Sequence, residues 1–146
     1  MNLYNTPLLT SLLALTLALT CTTASAELVV IVSAKRASLT LNSGQVSDIF
    51  LAQTERFPNG DSVTPLDLSI DSPLRDQFYN KVSAKSPALL RAYWTKMVFT
   101  GRGLPPREMA TSVAMRRLVA ANPSLIGYID SAALDDSVQI VLVVSK

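Results

Sequence analysis

The chain has 146 residues, 49% of them hydrophobic, and carries 13 Lys/Arg against 11 Asp/Glu for a net charge of +2. A single cysteine, Cys21, and no histidine exclude a disulfide framework, zinc sites of the Cys/His kind, and Ser-His-Asp or Cys-His catalysis. The weak, scattered charge excludes the strongly basic face that a nucleic-acid partner demands.

The N-terminus reads as an export signal. Leu8, Leu9, Leu12, Leu13, Leu15, Leu17 and Leu19 lie in an uncharged stretch, and Ala24-Ser25-Ala26 supplies the small residues of a cleavage site. The apolar run is too short to span a bilayer stably, and no stop-transfer pattern follows. No Lys or Arg precedes it, so only the α-amino group is positive there. The alternatives are a retained anchor or a buried N-terminal helix. Cys21 follows Ala18-Leu19-Thr20, a poor context for lipidation. The expectation is a signal peptide over 1–26, cleavage after Ala26, and a periplasmic domain over 27–146. Its roughly 120 residues suffice for one real core.

Along 27–146, strand-like and helix-like stretches alternate. Leu28 to Val32 is a continuous apolar run, β-branched from Val29 on, as a strand buried on both faces requires. Asn42 or Ser43 caps a short helix in which Val46, Ile49 and Phe50 recur at helical spacing. Arg56 to Asp61 contains Asn59-Gly60, a turn. Val63 to Leu68 reads as a second strand, where Pro65 indicates an edge or a strand start. Ser72-Pro73 and Ser86-Pro87 then open two helices, with serine at the cap and proline at the first helical position. The first puts Leu74, Phe78 and Val82 on one face. The second carries Leu89, Leu90, Tyr93, Trp94, Met97 and Val98 on a stripe read as core rather than as a ligand groove. Gly101 and Gly103 end it, and Leu104-Pro105-Pro106-Arg107 continues a loop. Thr111 or Ser112 caps a helix with Met115, Leu118 and Val119 that stops at Asn122-Pro123. Leu125 to Ile129 and Val138 to Val144 close the chain as strands. The order predicts an α/β domain with a small, mostly parallel or mixed sheet flanked by helices. Ligands of such sheets sit at the carboxyl ends of strands, where helix N-termini converge.

Three features carry candidate chemistry. In Asp71-Ser72-Pro73-Leu74-Arg75 a helix starts directly after a strand, and its partial positive charge attracts anions. Ser72 offers a hydroxyl and Arg75 a two-pronged guanidinium, while Pro73 lacks an N–H and Asp71 is negative. An ordinary helix cap is the alternative. The basic loop Thr100 to Arg107, with Arg102 and Arg107, is either an anion contact or a solvated connection. Gly127, between Ile126 and Tyr128, marks either close approach of a ligand or of another backbone, or a tight sheet edge. No carboxylate pair is spaced for acid–base work, and Asp135-Asp136 reads as a turn.

Several stretches resemble the phosphate-binding proteins of ABC transporters. Leu41 to Leu51 is similar to their "Leu-x-x-x-x-hydrophobic-x-x-Ile-Phe/Tyr-Leu-Gly" segment, and Asn122 to Tyr128 to their "Pro-Gly-x-Ile-Gly-Tyr" motif. Asp71 to Phe78 occupies the place of their "Ser-Gly-Thr-x-x-x-Phe" phosphate turn. Ala92-Tyr93-Trp94 through Phe99 to Arg107 is similar to the central segment of short, single-domain members. The resemblance runs from Leu28 to about Val143. It implies the fold of a periplasmic-binding-protein lobe and a solute-binding role, with phosphate or another small oxyanion as ligand and ABC-type uptake or sensing as context. It implies neither an enzyme nor a cofactor.

Pro73 and Leu74 stand where that family has glycine and threonine, so Ser72 alone carries over residue by residue. The expected ligand site joins Ser72, Arg75, the strand end at Ser33 and the Gly127 turn. Binding is expected to be weak, because one lobe leaves an anion exposed to water and salt. The alternative is an envelope protein-interaction module on the same fold with the ligand site lost. Its partner is another envelope or membrane transporter protein.

Overall fold

A computed structural model describes residues 27–144. The predicted export signal lies outside these residues. Among them, no helix is long and apolar enough to cross a membrane.

Strand β1 (Leu28–Ser33) is buried along its whole length, as its unbroken apolar run predicts. Helix α1 (Ser43–Phe50) follows. Its cap is reciprocal: the Asn42 side chain accepts from the Gln45 N–H at 2.9 Å, and the Gln45 side chain accepts from the Asn42 N–H at 3.0 Å. Next come β2 (Thr64–Leu68), α2 (Pro73–Ser83), α3 (Pro87–Phe99), β3 (Arg107–Met109), α4 (Ser112–Ala121), β4 (Leu125–Asp130) and β5 (Val138–Val144).

The five strands lie in the order β3-β2-β4-β1-β5. β2 is parallel to both β3 and β4, while β1 is antiparallel to both β4 and β5. Four strands therefore run one way and β1 runs against them: the sheet is mixed. Pro65 stands at the start of a strand and not at an edge, because β2 lies between β3 and β4. β3, a short edge strand, falls within a stretch that the sequence reads as loop. The register of β5 slips between Val30 and Ile31 of its partner, and the Val141 carbonyl left over at this bulge accepts from the Leu41 N–H at 2.9 Å.

Side chains alternate across β4 and so show what covers each face. Gly127 faces Met115 and Val119 of α4. Tyr128 faces the other way, stacked on Phe78 of α2 with ring centroids 3.9 Å apart and planes 4° from parallel. Phe50 of α1 closes edge-on against both rings. Helices thus cover both faces of the central strands, which explains why β1 shows no polar alternation.

On α2 the buried positions are Arg75, Phe78, Tyr79 and Val82, a stripe at helical spacing that leaves Leu74 half-buried at its side. On α3, Leu90, Trp94 and Met97 are buried. Leu89 and Val98, assigned to the core by their spacing, are exposed. They flank the inward line of a helix that meets the domain on one side only.

Candidate functional site

β2, β3 and β4 run in the same direction and end at Leu68, Met109 and Asp130. Two helices start just beyond these carboxyl ends, α2 after Ser72 and α4 after Thr111. A cleft of about 380 Å³ opens between them, lined by Leu68, Ser72, Pro73, Leu74, Gln77, Thr111, Ser112 and Asp130 among others.

Its polar groups are mostly hydroxyls. The Ser72 side chain makes no capping bond, although its N–H donates to the Ser69 carbonyl at 2.8 Å. The Thr111 hydroxyl accepts from the Ala114 N–H at 3.1 Å, and the Ser112 hydroxyl accepts from the Asp130 N–H at 3.1 Å. A hydroxyl that accepts still has its own proton to give, so three O–H donors border a cleft between two positive helix ends. Asp130 supplies the opposing charge. One of its carboxylate oxygens accepts from the Ala132 N–H at 2.9 Å.

Arg75 does not face this cleft. It lies on the inward stripe of α2, 7% exposed, and its Nε donates to Asp67 at 3.0 Å. Asp67 is 1% exposed. The same carboxylate accepts from the Tyr79 hydroxyl at 2.9 Å, from the Tyr128 hydroxyl, and from the Leu68 N–H at 2.8 Å. Burial works against the Arg75 charge, but the adjacent Asp67 carboxylate and their hydrogen bond outweigh it and raise its pKa. Burial, and then the charge of Asp67, push both Tyr79 and Tyr128 above the ordinary tyrosine value. These four residues form a buried hydrogen-bonded network that ties α2 to β2 and β4. Asp67 was open to detection in the sequence as a lone carboxylate in a buried strand, because such a charge demands a cation. Arg75 and Tyr79, four residues apart on α2, answer it.

Ser33 and Gly127 lie elsewhere. Because β1 runs against its neighbours, its carboxyl end lies beside the starts of β2 and β4, with Val32 opposite Ile126 and Thr64 opposite Leu125. Ser33 therefore lies at the opposite end of the strands from Ser72. Its hydroxyl donates to the Ala120 carbonyl at 3.0 Å and accepts from the Lys35 N–H at 3.2 Å. Gly127 makes room for α4: a Cβ there would lie 2.5 Å from the Met115 sulfur. Of the four expected residues, Ser72 alone lines the carboxyl-end cleft. Arg102 and Arg107 border a separate cleft of about 600 Å³ beside Trp94. Among the described residues, no group of three or more His, Cys, Asp or Glu is placed to hold a metal ion.

No family model matches the chain, and no curated protein matches it. Solved structures do. A protein from Clostridium perfringens, described as a phosphate ABC transporter substrate-binding protein and solved with phosphate bound, shares 21% identity at a TM-score of 0.64. The similarity covers 80% of this chain and 44% of that one. An ABC-type phosphate transport receptor from Vibrio cholerae shares 16% identity at a TM-score of 0.62, over 80% of this chain and 45% of that one. PstS from Borrelia burgdorferi shares 12% identity at a TM-score of 0.56, over 80% and 46%. The chain spans less than half the length of each of these proteins. Its mixed five-stranded sheet with helices on both faces has the fold of one lobe of the phosphate ABC transporter substrate-binding proteins.

Proposed function

We propose that this chain is an exported solute-binding domain that holds a small oxyanion of the phosphate kind in the carboxyl-end cleft, in the context of ABC-type uptake or sensing. The observation that carries this reading is the convergence of two helix N-termini and the Ser72, Thr111 and Ser112 hydroxyls on one cleft. Helix ends and hydroxyl protons are the groups that stabilise an oxyanion without a metal. The fold shared with the Clostridium perfringens protein solved with phosphate supports the same class of ligand.

The chemistry of the cleft sets strength and selectivity. Pro73 brings no N–H to the first turn of α2. Asp130 repels an anion, but hydrogen phosphate can donate its proton to that carboxylate. Sulfate carries no proton at neutral pH and meets the repulsion alone. Binding is therefore weak, salt-sensitive and better for phosphate than for sulfate. In this reading residues 1–26 are a signal peptide removed after Ala26, and residues 27–146 act in the periplasm as a binder and not an enzyme. N-terminal sequencing of the exported protein tests the first part, and Glu27 is the expected first residue. Calorimetric titration of the purified protein with phosphate and sulfate at low and high salt tests the second.

One observation favours a second reading, an envelope protein-interaction module. Phe99 is 91% and Leu104 74% exposed beside α3, an apolar surface of the kind partners cover. Absence of anion binding at low salt would favour it.

A further inference from the structure

The first turn of α2 separates two concavities. Ser72 lines the carboxyl-end cleft, while Asp71 and Arg75 line a larger groove of about 750 Å³ that runs along α3. This groove falls in the size range of small-molecule sites, and its walls are mostly apolar: Leu90, Trp94, Val98 and Phe99 of α3, with Ile70 opposite.

Two donors among its lining residues lack protein acceptors. Arg75 commits its Nε to Asp67, and among the described residues its two terminal nitrogens hold no hydrogen bond. Trp94 is 7% exposed, and its indole N–H is buried without a partner. A buried donor is nearly always satisfied, so the Trp94 N–H calls for an acceptor, while the terminal nitrogens of Arg75, whose side chain is 8% exposed, keep contact with solvent and are free to take one. The two terminal nitrogens of a guanidinium form a fixed fork that fits the two oxygens of a carboxylate.

We propose that this groove binds an apolar organic acid, with its carboxylate on the terminal nitrogens of Arg75 and its hydrocarbon body along the α3 wall. Its lining carries both signs, Arg91 against Asp71, Asp76 and Glu108. Those acids are solvated to different degrees, Asp71 and Glu108 exposed and Asp76 half-buried, and solvated charges are strongly screened. The Arg75 guanidinium, on a side chain 8% exposed, is screened less than these and decides the head group. This site uses other side chains than the oxyanion cleft and does not rest on that reading.

The test uses three amphiphiles of one chain length: octanoate, octan-1-ol and octylammonium. Each is titrated into the purified protein by calorimetry, with the fluorescence of the single tryptophan, Trp94, as a second readout. Octanoate should bind best, at least ~10-fold tighter than octanol, with octylammonium weakest. Arg75→Lys keeps a cation beside Asp67 but removes the fork, so octanoate should lose ~10-fold while octanol is unchanged. Val98→Asp, on an exposed wall position, should weaken both octanoate and octanol while the circular dichroism spectrum stays native. It keeps the test decisive if Arg75→Lys fails to fold. High salt should leave octanoate binding in place while weakening phosphate, which separates the two sites. Octanol binding as tightly as octanoate, octylammonium binding tighter, or no amphiphile binding at all overturns the proposal.

Discussion

The Asp67–Arg75 pair offers the sharpest test of how this sequence holds its fold. Arg75→Met keeps the length of the side chain and its packing on Tyr79 but removes the cation 3.0 Å from a carboxylate that is 1% exposed. At an effective dielectric of about 20, two unit charges at that separation attract by roughly 5–6 kcal/mol. Much of this is offset in the native protein by the desolvation of both ions. Removing one partner forfeits the attraction without recovering the desolvation of the other, which typically costs about 3–5 kcal/mol. Asp67 keeps the Tyr79 and Tyr128 hydroxyls and the Leu68 N–H, so the lower part of that range is expected, about 3 kcal/mol. Urea denaturation followed by circular dichroism reads this as a fall in the midpoint with an unchanged slope. Asp67→Asn in the Arg75→Met background removes the stranded charge and should recover at least about 1 kcal/mol. A cost below about 1 kcal/mol for Arg75→Met, or a double variant less stable than Arg75→Met alone, refutes the network as described.

Trp94→Ala should cost about 3–5 kcal/mol, measured by the same denaturation, because the ring is 7% exposed and packs edge-on against Tyr93. Gly127→Ala forces a Cβ to within 2.5 Å of the Met115 sulfur and 3.2 Å of a Val119 methyl. It should lower stability by about 1–3 kcal/mol, with partial rescue by Met115→Ala. Ser86→Ala and Thr111→Ala each remove a capping bond and should cost about 1 kcal/mol, whereas Ser72→Ala removes none and should cost under about 0.5 kcal/mol. Tyr79 and Tyr128 have folded pKa values above the ordinary tyrosine value. Their contribution is intact below pH ~10 and lost above it, at up to roughly 1.4 kcal/mol per pH unit for each. Absorbance at 295 nm should show both phenols un-ionised until the domain unfolds in alkali.

The elements legible in the sequence are those whose signals are local. Asn42 and Gln45 announce α1, the Ser-Pro pairs announce α2 and α3, and the unbroken run of β1 announces a strand covered on both sides. What was not legible depends on direction and partner. Nothing in Leu28 to Ser33 says that β1 runs against its neighbours, and that reversal alone carries Ser33 to the far end of the strands. Arg75 reads as a partner of Ser72 in one oxyanion site until Asp67, eight residues earlier, is seen to turn it away from the carboxyl-end cleft. β3 has three residues and no alternation, so only its pairing with β2 defines it. Of the carboxyl-end cleft, Ser72 was visible as a helix start. Thr111 and Ser112 were visible only as a cap for a different helix, because the parallel run of β2, β3 and β4 is what brings the two helix starts together.

The oxyanion cleft is tested most directly by calorimetric titration of phosphate into the wild-type protein and into Ser72→Ala and Ser112→Ala at low ionic strength. Ser72→Ala is the clean probe, since that side chain makes no capping bond to lose. The account predicts weak binding by the wild type that falls as salt rises. It also predicts a loss of ~10-fold or more for Ser72→Ala, about the lower value of one hydrogen bond to a charged group. No heat of binding for the wild type at low salt, or binding that both substitutions leave unchanged, contradicts it.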